Sequence, residues 1–235
     1  MPISVGRAAE RRIEPALLGN SIAEDDDSRD GLNLLDAIGA TMTLKRDAPL
    51  FCEGDPAQHY YKVVTGAIRG YKLLADGRRH ISDFFLDGDF IGFHTLATHA
   101  FSAESVRDAT LVRYDRRRVD ALVARSPHIS KCLLARVCTE LSQAQMRMVV
   151  LSRMTARERL ASFLARMAER SCGKPAAAIA LPMSRADIGD YLGLTTETVC
   201  RAFAQLKSAG IIAAPSPHEV MVLQPGALVT LATGA

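Results

Sequence analysis

Residues 184–203 read SRADIGDYLGLTTETVCRAF, and this stretch predicts two short helices that cross about a tight turn. Gly189 inside the first helix and Gly193 in the turn leave room for a close approach of the two backbones. Apolar residues recur at helical spacing on both sides of the turn. They are Ile188, Leu192, Leu194, Val199 and Ala202. The pattern is typical of a helix-turn-helix.

The start of each of these helices carries side chains that can cap it. Ser184 can accept a hydrogen bond from the first turn of the first helix, and Asp187 stands three residues later, at the position of a capping-box acid. Thr195 or Thr196 can cap the second helix in the same way. The two helix starts are therefore predicted from side-chain chemistry as well as from periodicity.

The second helix has two chemically different sides. With about 100° between successive residues, its apolar positions gather on one side and its polar positions on the other. The polar side carries Glu197, Cys200, Arg201, Ala204 and Gln205. Arginine pairs with guanine O6 and N7 and glutamate with the cytosine amino group, so this side predicts contact with base edges in a DNA major groove. The alternative is that Glu197 and Arg201 form only a surface ion pair.

The helix-turn-helix segment has no excess of positive charge with which to attract DNA phosphates. Residues 180–212 hold three basic and three acidic side chains, so backbone amides and hydroxyl groups are expected to contribute. The side chains predicted to contact phosphates are Ser184, Arg185 and Thr198. Residues 210–212 and 218–223 then predict a two-stranded wing.

A long amphipathic helix precedes this segment. Six apolar residues follow a 3-4-3-4-3 spacing, the heptad pattern of a helix that pairs with its own copy. They are Leu134, Val137, Leu141, Ala144, Met148 and Leu151. The alternative is a helix that packs only on its own domain. The first interpretation predicts a homodimer in which residues 126–152 form the dimerisation helix.

The chain as a whole predicts an α+β fold. Residues 1–40 are expected to be a partly disordered extension. In residues 41–125, turn signals separate short runs rich in Tyr, Val, Ile and Phe, and Asp76-Gly77 predicts a hairpin. This region is interpreted as an antiparallel β-barrel or jelly roll, a sensor-like domain. Residues 153–235 are interpreted as a winged helix-turn-helix domain.

These motifs together resemble the CRP/FNR superfamily of transcription regulators, over roughly residues 40–225. EGDPAQHYYKVVTGAIRGY and LDGDFIG resemble its cyclic-nucleotide-binding-like β domain, and LGLTTETVCRAFAQLKSAGII resembles its FixK and FNR branch. The resemblance implies an activator that recruits RNA polymerase and binds double-stranded DNA at a TTGA inverted repeat. Glu197 and Arg201 would then read the G·C pair, with Thr196 and Cys200 against thymine methyl groups.

Departures from the family pattern argue against a small effector. Cyclic-nucleotide binders pair Gly with Glu and place an Arg before Ser or Thr and Ala. Here Phe93 follows Gly92, and Phe101 precedes Ser102-Ala103, so a cyclic phosphate would lack its charged partners. A FixK-like regulator without a cofactor is therefore predicted. An effector-gated regulator with an unrecognised ligand or haem is the alternative, although the six histidines form no ligand cluster.

The five cysteines are an odd number without paired spacing, which indicates reduced thiols in a cytoplasmic protein. None precedes Cys52, so the four ligands of an FNR-type iron–sulfur cluster cannot be assembled, and no metal site is expected. Cys132 and Cys138 are interpreted as packing residues. Cys200 lies beside Arg201 near a helix N-terminus, a setting that favours the thiolate and predicts sensitivity to oxidation. The alternative is a small residue that only contacts a thymine methyl group.

Composition limits the function classes. With 48% apolar and 23% charged residues and no apolar run of membrane-spanning length, a membrane protein is not expected. The first residues lack the apolar core of a secretory signal. The net charge of +3 permits nucleic-acid binding without requiring it. The sequence has no paired carboxylates, nucleophile–base motif or phosphate loop to support catalysis, so an enzyme is not expected. The alternative from another class is a sensor or enzyme that does not bind DNA.

Overall fold

The computed structural model describes residues 34–93, 97–170 and 178–234. Most of the predicted N-terminal extension lies outside the described residues. After a 3₁₀ helix at Leu34–Ile38, six antiparallel strands form one sheet in the order β1-β6-β3-β4, with β2 also on β6 and β5 also on β3. The strands are β1 (Ala40–Leu44), β2 (Pro49–Phe51), β3 (His59–Leu73), β4 (Arg79–Leu86), β5 (Phe90–Ile91) and β6 (Ser102–Asp115). This sheet, the β domain (residues 40–115), confirms the antiparallel β-fold predicted for the N-terminal half.

The predicted hairpin joins β3 to β4. Gly77 has a φ of 84°, a left-handed conformation that glycine adopts without strain. The Asp76 carboxylate accepts a hydrogen bond of 3.0 Å from the backbone N–H of Arg78 and closes the turn. The hairpin brings Arg79 to the first position of β4, at the edge of the sheet.

Three helices follow the β domain: α1 (Arg116–Arg125), α2 (Pro127–Arg153) and α3 (Ala156–Arg170). Ser126 caps α2 and Pro127 occupies its first turn, where a missing N–H costs nothing. Cys132 is buried in this helix, as predicted for a packing residue. Cys138 is exposed, so its interpretation as a packing residue of this subunit was wrong. Cys138 lies on the side of α2 opposite Arg136 and Arg147, which pair with Asp89 and Asp83 of the β domain.

The C-terminal domain (residues 178–234) is built around the two predicted short helices, with α3 packed against them. Its elements are β7 (Ala178–Ala180), α4 (Arg185–Leu192), α5 (Thr196–Ser208), β8 (Ile212–Ser216), β9 (Glu219–Val222) and α6 (Pro225–Thr233). The wing has three strands in the order β7-β9-β8, whereas the sequence predicted two. β7 is only three residues long, too short for a periodicity signal, and it exists because β9 offers it a backbone partner.

One hydrophobic core joins the two halves of the molecule. Leu160, Leu164 and Tyr191 of the helices belong to the same buried cluster as Ile81 and Phe84 of β4. Because this core crosses the domain boundary, the C-terminal domain is docked on the β domain. None of the described helices is long and apolar enough to cross a lipid bilayer.

Candidate nucleic-acid interface

The crossing of α4 and α5 depends on glycine and on a complete capping box. The Ser184 hydroxyl accepts from the Asp187 N–H at 3.1 Å, and the Asp187 carboxylate accepts from the Ser184 N–H at 3.0 Å. A Cβ at Gly189 would lie 2.6 Å from the Leu194 carbonyl oxygen, so no larger residue fits at the crossing. Gly193 ends α4 with a φ of 64°. The predicted helix-turn-helix is confirmed in these details.

The exposed side of α5 carries the residues predicted to read bases. Thr195 caps the helix, and Val199, Ala202, Phe203 and Leu206 are buried beneath it. The solvent-exposed residues of the opposite side include Thr196, Glu197, Cys200 and Arg201. The Glu197 and Arg201 side chains are 80% and 66% exposed, and their charged atoms are 3.8 Å apart. Arg201 also donates to the Thr198 hydroxyl at 3.3 Å. A loose pair of this kind can open when a better partner is offered.

Arg185, predicted to contact a phosphate, also packs against a side chain of α5. Its guanidinium lies over the Phe203 ring, 3.4 Å from the centroid, which links the start of α4 to the middle of α5. Burial lowers the pKa of Arg185, and the nearby Cys200 acts in the opposite direction. Its Nη1 is buried and has no hydrogen-bond partner within the described residues. Sequence reasoning missed this stacking, because it depends on how the two helices cross.

Ser184, also predicted to contact phosphate, has a hydroxyl that is already engaged. It donates to the Asp187 carboxylate at 2.7 Å while accepting from the Asp187 N–H. The side chain itself remains exposed beside the first turn of α4. Because a hydroxyl has a single proton, Ser184 donates to a phosphate only if its hydrogen bond to Asp187 is given up.

The heptad stripe of α2 divides into two groups. Leu134, Leu141 and Met148 are 64%, 58% and 65% exposed, which is unusual for large apolar side chains on a helix. The other three, Val137, Ala144 and Leu151, are partly buried. The stripe is thus exposed along one edge and partly covered along the other, where Ala144 and Leu151 line a small cavity with Ile81 of β4.

The positions that depart from the cyclic-nucleotide pattern carry packed aromatic rings. Phe101 lies 5.8 Å from the Phe51 ring and 6.4 Å from the Phe85 ring. Phe93 lies 4.5 Å from the Tyr60 ring. Within the residues that the structure describes, no group of three or more His, Cys, Asp and Glu side chains could hold a metal ion.

Sequence reasoning also missed a cluster of charged residues at the boundary of the two domains. Arg69 and Arg79 of the β domain donate to the Asp187 carboxylate, and Arg79 donates to Asp190 as well. Burial alone would raise the pKa of Asp187, but hydrogen bonds from Ser184 and the charges of the two arginines hold it below its ordinary value. Beside the cluster lies a cleft of about 460 Å³ whose lining includes Arg46, Arg107 and His218.

Two protein families match this chain. The Crp-like helix-turn-helix domain matches residues 158–231, and the cyclic nucleotide-binding domain matches residues 41–126. The nitrogen fixation regulation protein FixK of Rhizobium meliloti (strain 1021) is 39% identical over 189 residues, which cover 80% of this chain and 85% of the relative. The FixK protein of Azorhizobium caulinodans is 37% identical over 214 residues, 90% of this chain and 86% of the relative. This chain belongs to the FixK-like regulators of the CRP/FNR family.

One solved structure supports this assignment as well as the fold. The structure of FixK2 from Bradyrhizobium japonicum superimposes on this FixK-like chain with a TM-score of 0.79 and 38% identity, covering 83% of this chain and 97% of that one. The predicted family, fold class and absence of enzymatic activity are confirmed by these relatives. The chain is a DNA-binding transcription regulator.

Proposed function

We propose that this regulator binds TTGA inverted repeats through the exposed side of α5. The observation that carries the proposal is the row formed by Thr196, Glu197, Cys200 and Arg201, which is open to solvent on a capped helix with its opposite side buried. Glu197 and Arg201 exchange their loose pairing for the cytosine amino group and guanine O6 and N7. Thr196 and Cys200 lie against thymine methyl groups. Thr198 and Arg185 contact DNA phosphates around the site, and Ser184 does so when its hydroxyl turns from Asp187 to a phosphate.

The functional form is a homodimer that pairs through α2. Its exposed apolar edge, Leu134, Leu141 and Met148, is the surface that a second copy covers. In such a dimer the two recognition helices enter successive major grooves about 34 Å apart on one face of the duplex. The regulator acts in the cytoplasm as an activator that recruits RNA polymerase, in keeping with relatives named as transcriptional activators.

The β domain works without a small effector. Phe93 and Phe101 stand where a ribose and a cyclic phosphate would need Glu and Arg, and both rings pack against aromatic neighbours. The match of residues 41–126 to the cyclic nucleotide-binding family favours a second candidate, a regulator gated by another ligand or by haem. DNA binding by the purified protein with no additive distinguishes the two, because a gated regulator requires its ligand.

Cys200 makes this DNA binding sensitive to oxidation. The thiol is exposed on the base-reading side, next to Arg201 and near the Arg185 guanidinium. A thiolate attacks hydrogen peroxide, takes one oxygen atom to become sulfenate, and releases water after proton transfer. Further oxidation adds negative charge that faces the DNA. The alternative is that Cys200 is only a small contact residue.

Fluorescence anisotropy with labelled duplexes tests the proposal. The purified protein, without ligand, should bind a TTGA inverted repeat in the nanomolar range typical of specific regulators, and a scrambled duplex roughly 10³-fold more weakly. Equal affinity for both duplexes would contradict sequence-specific binding. Binding that appears only after a cell extract is added would support the gated alternative instead.

A further inference from the structure

The first helix of the helix-turn-helix has a face that is committed to the β domain. Asp187, Asp190 and Tyr191 stand at positions i, i+3 and i+4 of α4, so they share one side of the helix. All three contact residues of the β domain, and Asp187 and Tyr191 are buried there. The face opposite α5 is therefore a docking face.

Ion pairs form one half of this contact. One Asp187 oxygen, Oδ1, accepts from Arg79 at 2.6 Å and from Arg69 at 3.2 Å, while Oδ2 serves the capping box. Asp190 accepts from Arg79 Nε at 2.9 Å. Glu104 holds the other end of Arg69, with 2.7 Å between the Arg69 Nε and the carboxylate. Two arginines thus bridge the β domain to the first turn and the last turn of α4.

Apolar packing forms the other half. The Tyr191 ring lies 5.5 Å from the Phe84 ring of β4 and 5.7 Å from the Phe163 ring of α3. The Arg166 guanidinium covers the same tyrosine ring at 5.2 Å and pairs with Asp83 of β4 at 3.1 Å. The ionic cluster is therefore continuous with a buried core.

The centre of the ionic cluster is buried, so each charge there is stabilised mainly by its charged partners and little by water. The Arg69 and Asp187 side chains are only 12% and 5% exposed. Removing one member of a buried pair leaves an uncompensated charge in a poorly hydrated site, which is more costly than the loss of a surface pair. Domains in one chain move relative to each other by default unless their interface is large and apolar. Here a shared core and a buried ionic cluster oppose that motion.

We infer that Arg79 and Arg69 are positioning residues for DNA binding, and that they hold the recognition helix in one orientation by an internal contact instead of a bound effector. The inference rests on the proposed function and deepens it. The β3–β4 hairpin clamps α4, and α4 carries α5 through the crossing at Gly189. In a dimer, both recognition helices are then fixed relative to each other.

Such a clamp has a consequence for the DNA sequences that are bound. Each base pair added between half-sites moves the second one by 3.4 Å and turns it by about 34°. A dimer with clamped C-terminal domains cannot follow this displacement, whereas a dimer with loose domains can. Preference for one spacer length therefore measures the clamp, and affinity for a single half-site does not.

Arg79→Gln tests the clamp, and Arg78→Gln is its matched control. Arg78 is the neighbouring hairpin residue, 77% exposed, and pairs with Asp76. Affinities are measured for the full inverted repeat, for repeats with spacers longer or shorter by one and two base pairs, and for a duplex with one half-site scrambled. Wild type and Arg78→Gln should prefer one spacer by about tenfold, a coupling of the size found for groups in contact. Arg79→Gln should bind all spacers to within about twofold and keep wild-type affinity for the single half-site.

Two results would overturn the inference. Arg79→Gln that retains the wild-type spacer preference would show that the ionic cluster does not position the domain. If Arg79→Gln loses affinity for the single half-site as well as for the full repeats, Arg79 has a general structural role instead of a positioning one. Asp190→Asn provides a second variant if Arg79→Gln does not fold, because it removes an outer partner and leaves the capping box intact.

Differential scanning calorimetry separates this inference from the proposed function. Wild type and Arg78→Gln should unfold in one transition, because the shared core couples the domains only together with the ionic cluster that Arg79 completes. Arg79→Gln should show a separate, earlier transition of the C-terminal domain. If wild type binds no TTGA repeat, the proposed function fails, and an unsplit transition in Arg79→Gln would then overturn the clamp independently.

Discussion

At the scale of single residues, Arg201 is the side chain on which base recognition depends most directly. Arg201→Ala should weaken binding to the TTGA repeat by roughly 1–3 kcal/mol and relax the preference at the guanine, because the bidentate contact is lost. Arg185→Ala, which removes a proposed phosphate contact, should weaken binding to all duplexes about equally and reduce the salt dependence. Anisotropy titrations on matched and guanine-substituted duplexes measure both effects. Unchanged affinity of Arg201→Ala would refute this assignment of the recognition helix.

Cys200 is the second residue whose chemistry can be tested alone. After peroxide treatment, wild type should lose affinity for the TTGA repeat, since sulfinic or sulfonic acid adds bulk and charge beside Arg201. Cys200→Ser should retain its affinity under the same treatment, and Cys138→Ser, which removes another exposed thiol, should behave like wild type. Equal loss in wild type and Cys200→Ser would locate the sensitive group elsewhere. No loss in either would leave Cys200 as a contact residue.

At the scale of secondary-structure elements, the exposed edge of α2 is the feature to challenge. Leu141→Glu should produce monomers that lose specific DNA binding, because the dimer would bury the charge twice without a partner. The subunit itself should stay folded, since the Leu141 side chain is 58% exposed in it. Gln143→Glu places the same charge off the stripe and should remain dimeric. Sedimentation equilibrium measures the association, and an intact Leu141→Glu dimer would exclude this edge as the interface.

At the scale of the whole molecule, Asp83 connects the β domain to two helices. It pairs with Arg147 of α2 and Arg166 of α3 at 3.0 and 3.1 Å. Burial would raise the pKa of Asp83, but the two arginines and the Phe84 N–H outweigh it and hold this pKa below its ordinary value. When the folded pKa is the lower one, the unfolded chain takes up the proton first as pH falls. The stabilisation is therefore complete above about pH 4 and is lost below it.

Urea unfolding from pH 6 to pH 3 checks this dependence. Asp83→Asn should lower the free energy of unfolding at pH 6 by roughly 1–3 kcal/mol, between the values for exposed and for fully buried pairs, because Asp83 is 21% exposed. The variant should also lose less stability than wild type between pH 4 and pH 3, because its residue 83 no longer titrates. Parallel pH profiles of the two proteins would show that Asp83 does not contribute to acid unfolding.

The sequence by itself determined the features that depend on neighbours along the chain. The capping box of Ser184 and Asp187, the Asp76-Gly77 hairpin and the two-sided character of α5 are all local signals, since periodicity and turn chemistry act within a few residues. For the same reason, the residues proposed to read bases follow from the helical periodicity of the sequence alone. The heptad stripe was visible as well, although not the division of its residues between an exposed edge and a buried one.

Only the tertiary structure decided how the domains are joined and what several polar residues do. Arg79 and Asp187 are 108 positions apart in sequence, and Arg69 and Asp187 are 118 apart. Arg185 meets Phe203 only because α4 crosses α5 at a glycine. The position of a charged residue in the sequence does not show which distant residue it pairs with. The sequence alone therefore allows several arginines to pair with any one carboxylate. The packing of Phe84 and Tyr191 in one core selects among those pairings, because it fixes which surfaces face each other and therefore which charges are close enough to pair.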